Sequence, residues 1–287
     1  MIIAIASGKG GTGKTTVAAN LARVFAAPLQ LLDCDVEEPN DHLFLPGTLL
    51  EEKTVTVPIP GIDAALCDGC GACSALCEFN AIIVPKNTAL VFPELCHSCG
   101  GCALVCPRKA ITEQPWRIGM ITRYQAELVH LIQGLLDVGI AASPPLIRAV
   151  KACIDPGVPV LLDAPPGTSC PVVTTVRGAD YVLLVTEPTP FGVHDLKLAV
   201  EMVRSLGLPF AVVVNRMGSG DDRVQVYCQE EKIPIALEIA DDRRIAEACS
   251  RGQLACEAVP EFRHSMLRLK EYLTTEIEGR KMAGGRP

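Results

Sequence analysis

The chain has 287 residues, 49% of them apolar but only 4% aromatic, so its core is built from Ala, Val, Leu and Ile. With 24 Gly and 22 Pro, that balance suits a layered α/β protein of two domains better than an aromatic-rich β-sandwich. Charged residues at 21% exclude a mostly disordered chain, and a net charge of −7 argues against a protein that coats nucleic acid. No apolar run reaches the roughly 20 residues of a membrane span. The opening Met-Ile-Ile-Ala-Ile-Ala has no basic segment ahead of it, so the expected location is the cytoplasm. Fourteen cysteines in such a chain, eight of them between Cys67 and Cys106, point to metal and not to disulfides.

In chain order, Ile2 to Ala6 is a short apolar run bounded by Ser7-Gly8 and reads as a buried strand. Val17, Ala18, Leu21, Ala22 and Val24 then recur at helical spacing, with Pro28 beyond them as a stop. Leu29 to Asp33 reads as a second strand that ends in Asp33-Cys34-Asp35. Further strands are predicted at Val158–Asp163, Tyr181–Thr186, Phe210–Asn215 and Pro234–Ile239. Helical patterns lie at Pro144–Ile154, Val193–Leu206, Asp221–Lys232, Asp241–Ser250 and Arg263–Ile277. Asp241 or Asp242 can cap one helix start, and Gly207 and Gly252 suit helix C-termini. The stretch Gln125–Leu136 fits a helix or an extended run equally well. Strand and helix alternating in this way imply a parallel sheet covered on both faces.

The alternation breaks between Pro58 and Pro115, where a repeat with an offset of 29 residues appears. Cys67, Cys70, Cys73 and Cys77 recur as Cys96, Cys99, Cys102 and Cys106. The same shift maps Leu66 to Leu95, Gly71 to Gly100, and Ala81-Ile82 to Ala110-Ile111, so a structural unit is duplicated and not just a cysteine cluster. The expected organisation is an α/β domain formed by residues 1–57 and 116–287, with a small cysteine-rich domain of residues 58–115 inserted in it.

Gly8-Lys9-Gly10-Gly11-Thr12-Gly13-Lys14-Thr15 fits the phosphate-binding loop pattern and sits between a predicted strand and a predicted helix, as that motif requires. Glycines let successive N–H groups point at phosphate oxygens, and the helix adds its positive end. Lys14 supplies charge for the β- and γ-phosphates of ATP or ADP, the Thr15 hydroxyl suits Mg²⁺, and Thr16 can hold the α-phosphate. Asp163 ends an apolar strand, where a carboxylate can reach Mg²⁺ through water. With Lys9 the loop resembles the deviant Walker A loop of the MinD/ParA/nitrogenase-iron-protein class. That resemblance implies a lysine, here Lys9, that crosses a dimer interface to the partner's nucleotide. Asp33-Cys34-Asp35 resembles the class's first switch, whose second aspartate, here Asp35, contacts the attacking water. Asp163-Ala164-Pro165-Pro166-Gly167 resembles its Walker B and second switch, and Asn215-Arg216 its adenine-side loop. Glu187-Pro188-Thr189-Pro190-Phe191-Gly192 also matches the class after a strand, but no chemistry attaches to it.

Cys-x2-Cys-x2-Cys-x3-Cys, twice, with Pro107 after the last cysteine, resembles bacterial dicluster ferredoxins. The resemblance implies two 4Fe–4S clusters, one on Cys67, Cys70, Cys73 and Cys106, the other on Cys96, Cys99, Cys102 and Cys77. A zinc site more often uses two spaced cysteine pairs. Glu78 stands where the ferredoxin pattern often has Pro. His97 reads as a neighbour that tunes its cluster. The remaining Cys34, Cys153, Cys170, Cys228, Cys249 and Cys256 read by default as small core residues. Cys170, in the second-switch segment, matches the position of a cluster cysteine of the nitrogenase iron protein.

The whole chain thus resembles a MinD/Mrp-type P-loop ATPase: a parallel sheet with helices on both faces plus an inserted α+β ferredoxin domain. The implied function is an ATPase that dimerises on binding ATP and couples turnover to electron transfer or metallocluster assembly on a redox or metalloprotein partner. One alternative is a spatial-positioning ATPase of the MinD/ParA kind with structural or redox-sensing clusters. The tail Arg263–Pro287 lacks the basic amphipathic face that membrane anchoring would need. Another alternative is an iron–sulfur cluster carrier, although four cysteines per cluster argue against easy release.

Overall fold

The computed structural model describes residues 1–282. The first elements are β1 (Ile2–Ala6), α1 (Lys14–Val24), β2 (Leu29–Asp33), α2 (Asp41–Phe44) and β3 (Thr48–Ile62). The cysteine-rich stretch holds α3 (Ala72–Leu76), β4 (Ile82–Ile83), β5 (Leu90–Val91) and α4 (Gly101–Leu104). Next come β6 (Ile111–Ala126), β7 (Val129–Leu136), α5 (Pro144–Lys151), β8 (Val160–Asp163) and α6 (Cys170–Val176). The chain continues with β9 (Tyr181–Thr186), α7 (Pro190–Ser205), β10 (Phe210–Met217) and α8 (Arg223–Glu230). Last are β11 (Ile235–Ala240), α9 (Arg243–Ser250), α10 (Ala255–Ala258) and α11 (Pro260–Met282).

Nine strands form one sheet in the order β11-β10-β9-β1-β8-β2-β7-β6-β3, while β4 and β5 pair separately and antiparallel. From β11 to β7 every pairing is parallel, with Ile5 opposite Asp163 and Asp33 opposite both Asp163 and Gln133. β1, β2, β8 and β9 are buried on both sides because they are short runs of aliphatic residues. Ile3, Ile5, Leu29 and Leu31 pack in one core with Val17 and Leu21 of α1 and Met266 and Leu269 of α11. The intervening Ala4, Ala6 and Leu32 are buried as well, and α6 and α7 pack on β1 and β9, so both faces are covered.

The sheet is not wholly parallel. Gln125–Leu136, open on sequence, ends β6 and forms β7, joined through Glu127 and Leu128. Two residues can link only an antiparallel pair. Glu127 supplies the left-handed corner at φ 51°, so no glycine announces the turn. β3 and β6, of 15 and 16 residues, lie outside the predicted elements. β3 is exposed along its first seven residues, and its alternation of Val55, Val57 and Ile59 is confined to the end where Pro58 and Pro60 read as boundary punctuation.

The described residues divide into two compact units. One comprises Met1–Glu52, Ile121–Leu135 and the described residues from Ile147 on; the other comprises Lys53–Met120 and Leu136–Leu146. In the second unit the buried apolar cluster is Cys73, Ile82, Ala89 and Ile111, with Cys67, Cys77, Cys102 and Cys106 packed against it.

Candidate functional site

β1 delivers the chain into the loop Ser7–Gly13, and α1 starts at Lys14 after Gly11 and Gly13 take left-handed φ of 79° and 92°. A side chain at Gly13 would run into Asn215, whose Nδ2 donates to the Thr12 carbonyl at 2.9 Å. Asn215 therefore braces the loop from β10. The Ser7 hydroxyl donates to the Lys9 carbonyl at 2.5 Å, and the Gly167 amide donates to the Ser7 carbonyl at 3.0 Å. These bonds tie the segment after β8 to the glycine loop.

At the carboxyl ends of β2 and β8 the acids converge. Thr15 Oγ1 donates to Asp163 Oδ2 at 2.6 Å, which joins the two residues expected at Mg²⁺. Asp33 accepts from the Asp35 amide at Oδ1 and from the Asn40 and Asp41 amides at Oδ2, at 2.8 to 3.1 Å. Burial raises the carboxyl pKa values: Asp33 to about 8, helped by Asp163, Asp163 to about 7, and Asp35 to about 6. Three amides pull Asp33 down, Thr15 and Lys14 pull Asp163 down, and Lys14 opposes the rise of Asp35. Lys14 is itself buried, which lowers its pKa against the pull of Asp163 and Asp35. The acids fit a bound divalent cation, because Asp163 Oδ1 is buried without a hydrogen-bond partner and Asp33, Asp41 and Asp163 bring carboxylate oxygens within 4.8 Å of one another.

Lys9 lies apart from this acidic group. Its Nζ is 3.6 Å from Glu187, which also accepts from Arg216 Nη1 at 2.7 Å. Arg216 holds φ 56°, and its amide donates to the Asn215 side chain. Thr16 Oγ1 stands 3.7 Å from the Cys249 thiol. Asp41 and Glu187 are the two site residues that sequence reasoning missed. Asp41 follows the polar run Glu37-Glu38-Pro39-Asn40, which reads as an ordinary loop, and Glu187 lies in a loop without a recognised role.

The cysteine repeat is also a repeat of backbone conformation. Gly69 and Ser98, Gly71 and Gly100, and Asn80 and Lys109 all have positive φ, each pair 29 residues apart. The Asn80 amide donates to the Cys77 carbonyl and the Lys109 amide to the Cys106 carbonyl. One cavity, of about 20 Å³, is lined by Cys67, Cys70, Cys73 and Cys106. Another, of about 110 Å³, is lined by Cys77, Cys96, Cys99 and Cys102, with Cys73 also at its wall. Each cavity thus draws three cysteines from one repeat, with one from the other repeat in the smaller cavity and two in the larger. Soft thiolates at this density suit iron–sulfur or zinc chemistry. Amides of Ser98 and Ala110 donate to the sulfurs of Cys96 and Cys106 at 3.4 and 3.3 Å. His97 stacks on Phe79, with ring centroids 3.6 Å apart. Burial raises the Cys73 and Cys102 thiols.

Of the other cysteines, Cys34, Cys228 and Cys256 are buried, Cys153 and Cys249 are half-buried, and Cys170 is exposed at the start of α6. Among the described residues no helix is long and apolar enough to cross a membrane.

The model of the CobQ/CobB/MinD/ParA nucleotide binding domain matches residues 3–255. An uncharacterized protein of Methanocaldococcus jannaschii is 31% identical over 88% of this chain and 90% of its own length. An iron–sulfur cluster carrier protein of Pyrococcus horikoshii is 25% identical over 99% of this chain and 89% of its own. Among solved structures, the cell division ATPase MinD of Pyrococcus furiosus superposes with a TM-score of 0.58 at 21% identity, covering 96% of this chain and 98% of that one. That likeness speaks for the fold, a large and mostly parallel sheet with a phosphate loop. With 253 consecutive residues inside the match, the chain belongs to the CobQ/CobB/MinD/ParA nucleotide-binding family.

Proposed function

We propose that this chain is an ATP-hydrolysing iron–sulfur protein, a nucleotide-switched dimer that couples ATP turnover to electron transfer or to metallocluster assembly on a partner protein. The observation that carries the reading is the pairing of the Thr15–Asp163 site with two cavities, one lined by four cysteines and the other by five, Cys73 being shared. Loop amides and Lys14 hold the β- and γ-phosphates, and the Thr16 hydroxyl takes the α-phosphate. Thr15 and Asp163 would hold Mg²⁺, which would supply neutralisation of phosphate charge. Asp35, with a carboxyl pKa near 6, orients the attacking water as a carboxylate at neutral pH. Asn215 and Arg216 stand on the adenine side. Lys9 leaves Glu187 and reaches the partner's nucleotide, so hydrolysis loosens the dimer through the segments after Asp35 and Asp163. Clusters held by Cys67, Cys70, Cys73 and Cys106, and by Cys96, Cys99, Cys102 and Cys77, supply one-electron chemistry. Amides on the Cys96 and Cys106 sulfurs favour the reduced, more negative state.

A second reading, an iron–sulfur cluster carrier, is favoured by the name of the Pyrococcus horikoshii relative. The test is to measure ATPase rate and dimerisation on anaerobic protein with oxidised and reduced clusters, together with cluster transfer to an apo-ferredoxin. A rate that changes with cluster redox state, without transfer, supports coupling. Equal rates with rapid transfer replace it by the carrier reading.

A further inference from the structure

Asp41 opens the short helix α2, and its side chain is completely buried. Neither carboxylate oxygen has a hydrogen-bond partner among the described residues. A buried carboxylate without a donor is a high-energy arrangement unless something neutralises it. The neighbours do not, because Asp163, Asp33 and Asp35 are the charges that bear on Asp41, and all are acidic. Asp33, Asp41 and Asp163 each offer an oxygen, all within 4.8 Å of one another and all buried. Asp163 Oδ1 is without a partner too, since Thr15 occupies only Oδ2.

Three oxygens no more than 4.8 Å apart have a common centre within about 2.8 Å of each, so a contraction of a few tenths of an ångström brings them to the 2.3–2.6 Å of Ca²⁺–oxygen bonds. Mg²⁺, at about 2.0–2.1 Å, needs them drawn closer still. Hard carboxylate oxygens suit Mg²⁺, Ca²⁺ and Mn²⁺ alike. The backbone holds Asp41 in place independently, because Asp33 Oδ2 accepts both the Asn40 and Asp41 amides. The loop from Asp33 is folded back so that the Asp41 side chain returns to the end of the sheet. Nothing in the sequence motifs announces it, since those end at Asp35.

We propose that Asp33, Asp41 and Asp163 bind a divalent cation in the nucleotide-free chain, with Asp41 the ligand that completes the site. This goes beyond the proposed function, in which a cation arrives with ATP at Thr15 and Asp163. A cation already at the ends of β2 and β8 would order the Asp33–Asp41 segment before nucleotide binds.

The test uses the full chain without nucleotide, titrated with Mn²⁺ and followed by loss of the free-Mn²⁺ electron paramagnetic resonance signal, with Mg²⁺ and Ca²⁺ as competitors. The expected result is one Mn²⁺ held per chain, with affinity at least tenfold weaker in Asp41→Asn. In EDTA, Asp41→Asn melts no lower than the wild type, since one of three crowded acids is gone. Added Mn²⁺ raises the wild-type melting temperature but not that of the variant. Absence of Mn²⁺ binding by the wild type, or equal affinity in Asp41→Asn, overturns the proposal. Should Asp41→Asn fail to fold, the wild-type melt decides: a midpoint that Mn²⁺ leaves unmoved overturns it, and a rise that Asp33→Asn abolishes supports it. Nucleotide is absent throughout, so a failure of ATP binding would leave these results unchanged and be told apart from them.

Discussion

The carboxyls of Asp33, Asp35 and Asp163 bind protons more tightly in the folded chain than in an unfolded one, with pKa values raised from 3.8 to about 8, 6 and 7. Their contribution to stability is complete below the ordinary carboxylate value and is lost as pH rises through 6 to 8. The urea midpoint of metal-free, nucleotide-free protein therefore falls from pH 5 to pH 8, and Asp33→Asn reduces that fall. A midpoint that rises over the same window contradicts the burial of these acids. Glu187 makes a second residue-scale prediction. Its contact with Lys9 is partly exposed, 35% at the lysine side chain, and such pairs are worth about 0.2–1 kcal/mol. On the proposal that Lys9 crosses the interface, Glu187→Gln frees two lysines per dimer and tightens ATP-dependent dimerisation by no more than about thirtyfold in sedimentation. A loss of dimerisation would show that Glu187 has another role. The loop Gly8–Thr15 was legible in sequence because its backbone turns demand glycines at fixed offsets, whereas Asp35 and Asp163 were singled out by family resemblance. Asp41 and Glu187 were not, because their roles depend on chain reversals that no local pattern encodes.

Elements with uniform burial were read closely. β1, β2 and β9 run over the predicted residues, since a short aliphatic run between polar turns admits few other structures. β3 and β6 escaped because charged residues fill the exposed start of β3 and because Pro58, Pro60 and Pro115 read as boundaries and not as strand residues. The prediction that belongs here concerns the loop against α7. A Cβ at Gly8 would lie 2.2 Å from the Asp195 carbonyl oxygen, whereas at Gly10 the nearest atom is Pro166 Cβ at 3.9 Å. Gly8→Ala forces the loop and α7 apart and costs about 1–3 kcal/mol of unfolding free energy, measured in urea. Gly10→Ala leaves stability within about 0.5 kcal/mol. Equal effects of the two substitutions would contradict the packing of α7 on the loop.

At the scale of the whole molecule, the two units differ in what can hold them together. The first has an extended aliphatic core on the sheet, while in the second the buried cluster at the cysteines consists of four residues, Cys73, Ile82, Ala89 and Ile111. Small cores of that kind rely on metal or cross-links. Removing iron with a chelator under reducing conditions should expose residues 53–120 to protease at least tenfold faster, with the first unit's unfolding midpoint unchanged. Equal protection with and without iron would show that the cysteine-rich unit folds without metal. The 29-residue repeat was legible because duplication repeats cysteines and the turn glycines Gly71 and Gly100 together. The sheet's antiparallel edge was hidden because Glu127, not glycine, makes the turn.

The central claim, that a single chain joins a phosphate-binding loop to two iron–sulfur sites, is tested most directly by chemical analysis of anaerobically purified protein. About eight iron and eight sulfide per chain, with stoichiometric Mg²⁺-dependent ATP binding abolished by Lys14→Ala, are predicted. Negligible iron and sulfide, or ATP binding indifferent to Lys14→Ala, would contradict it.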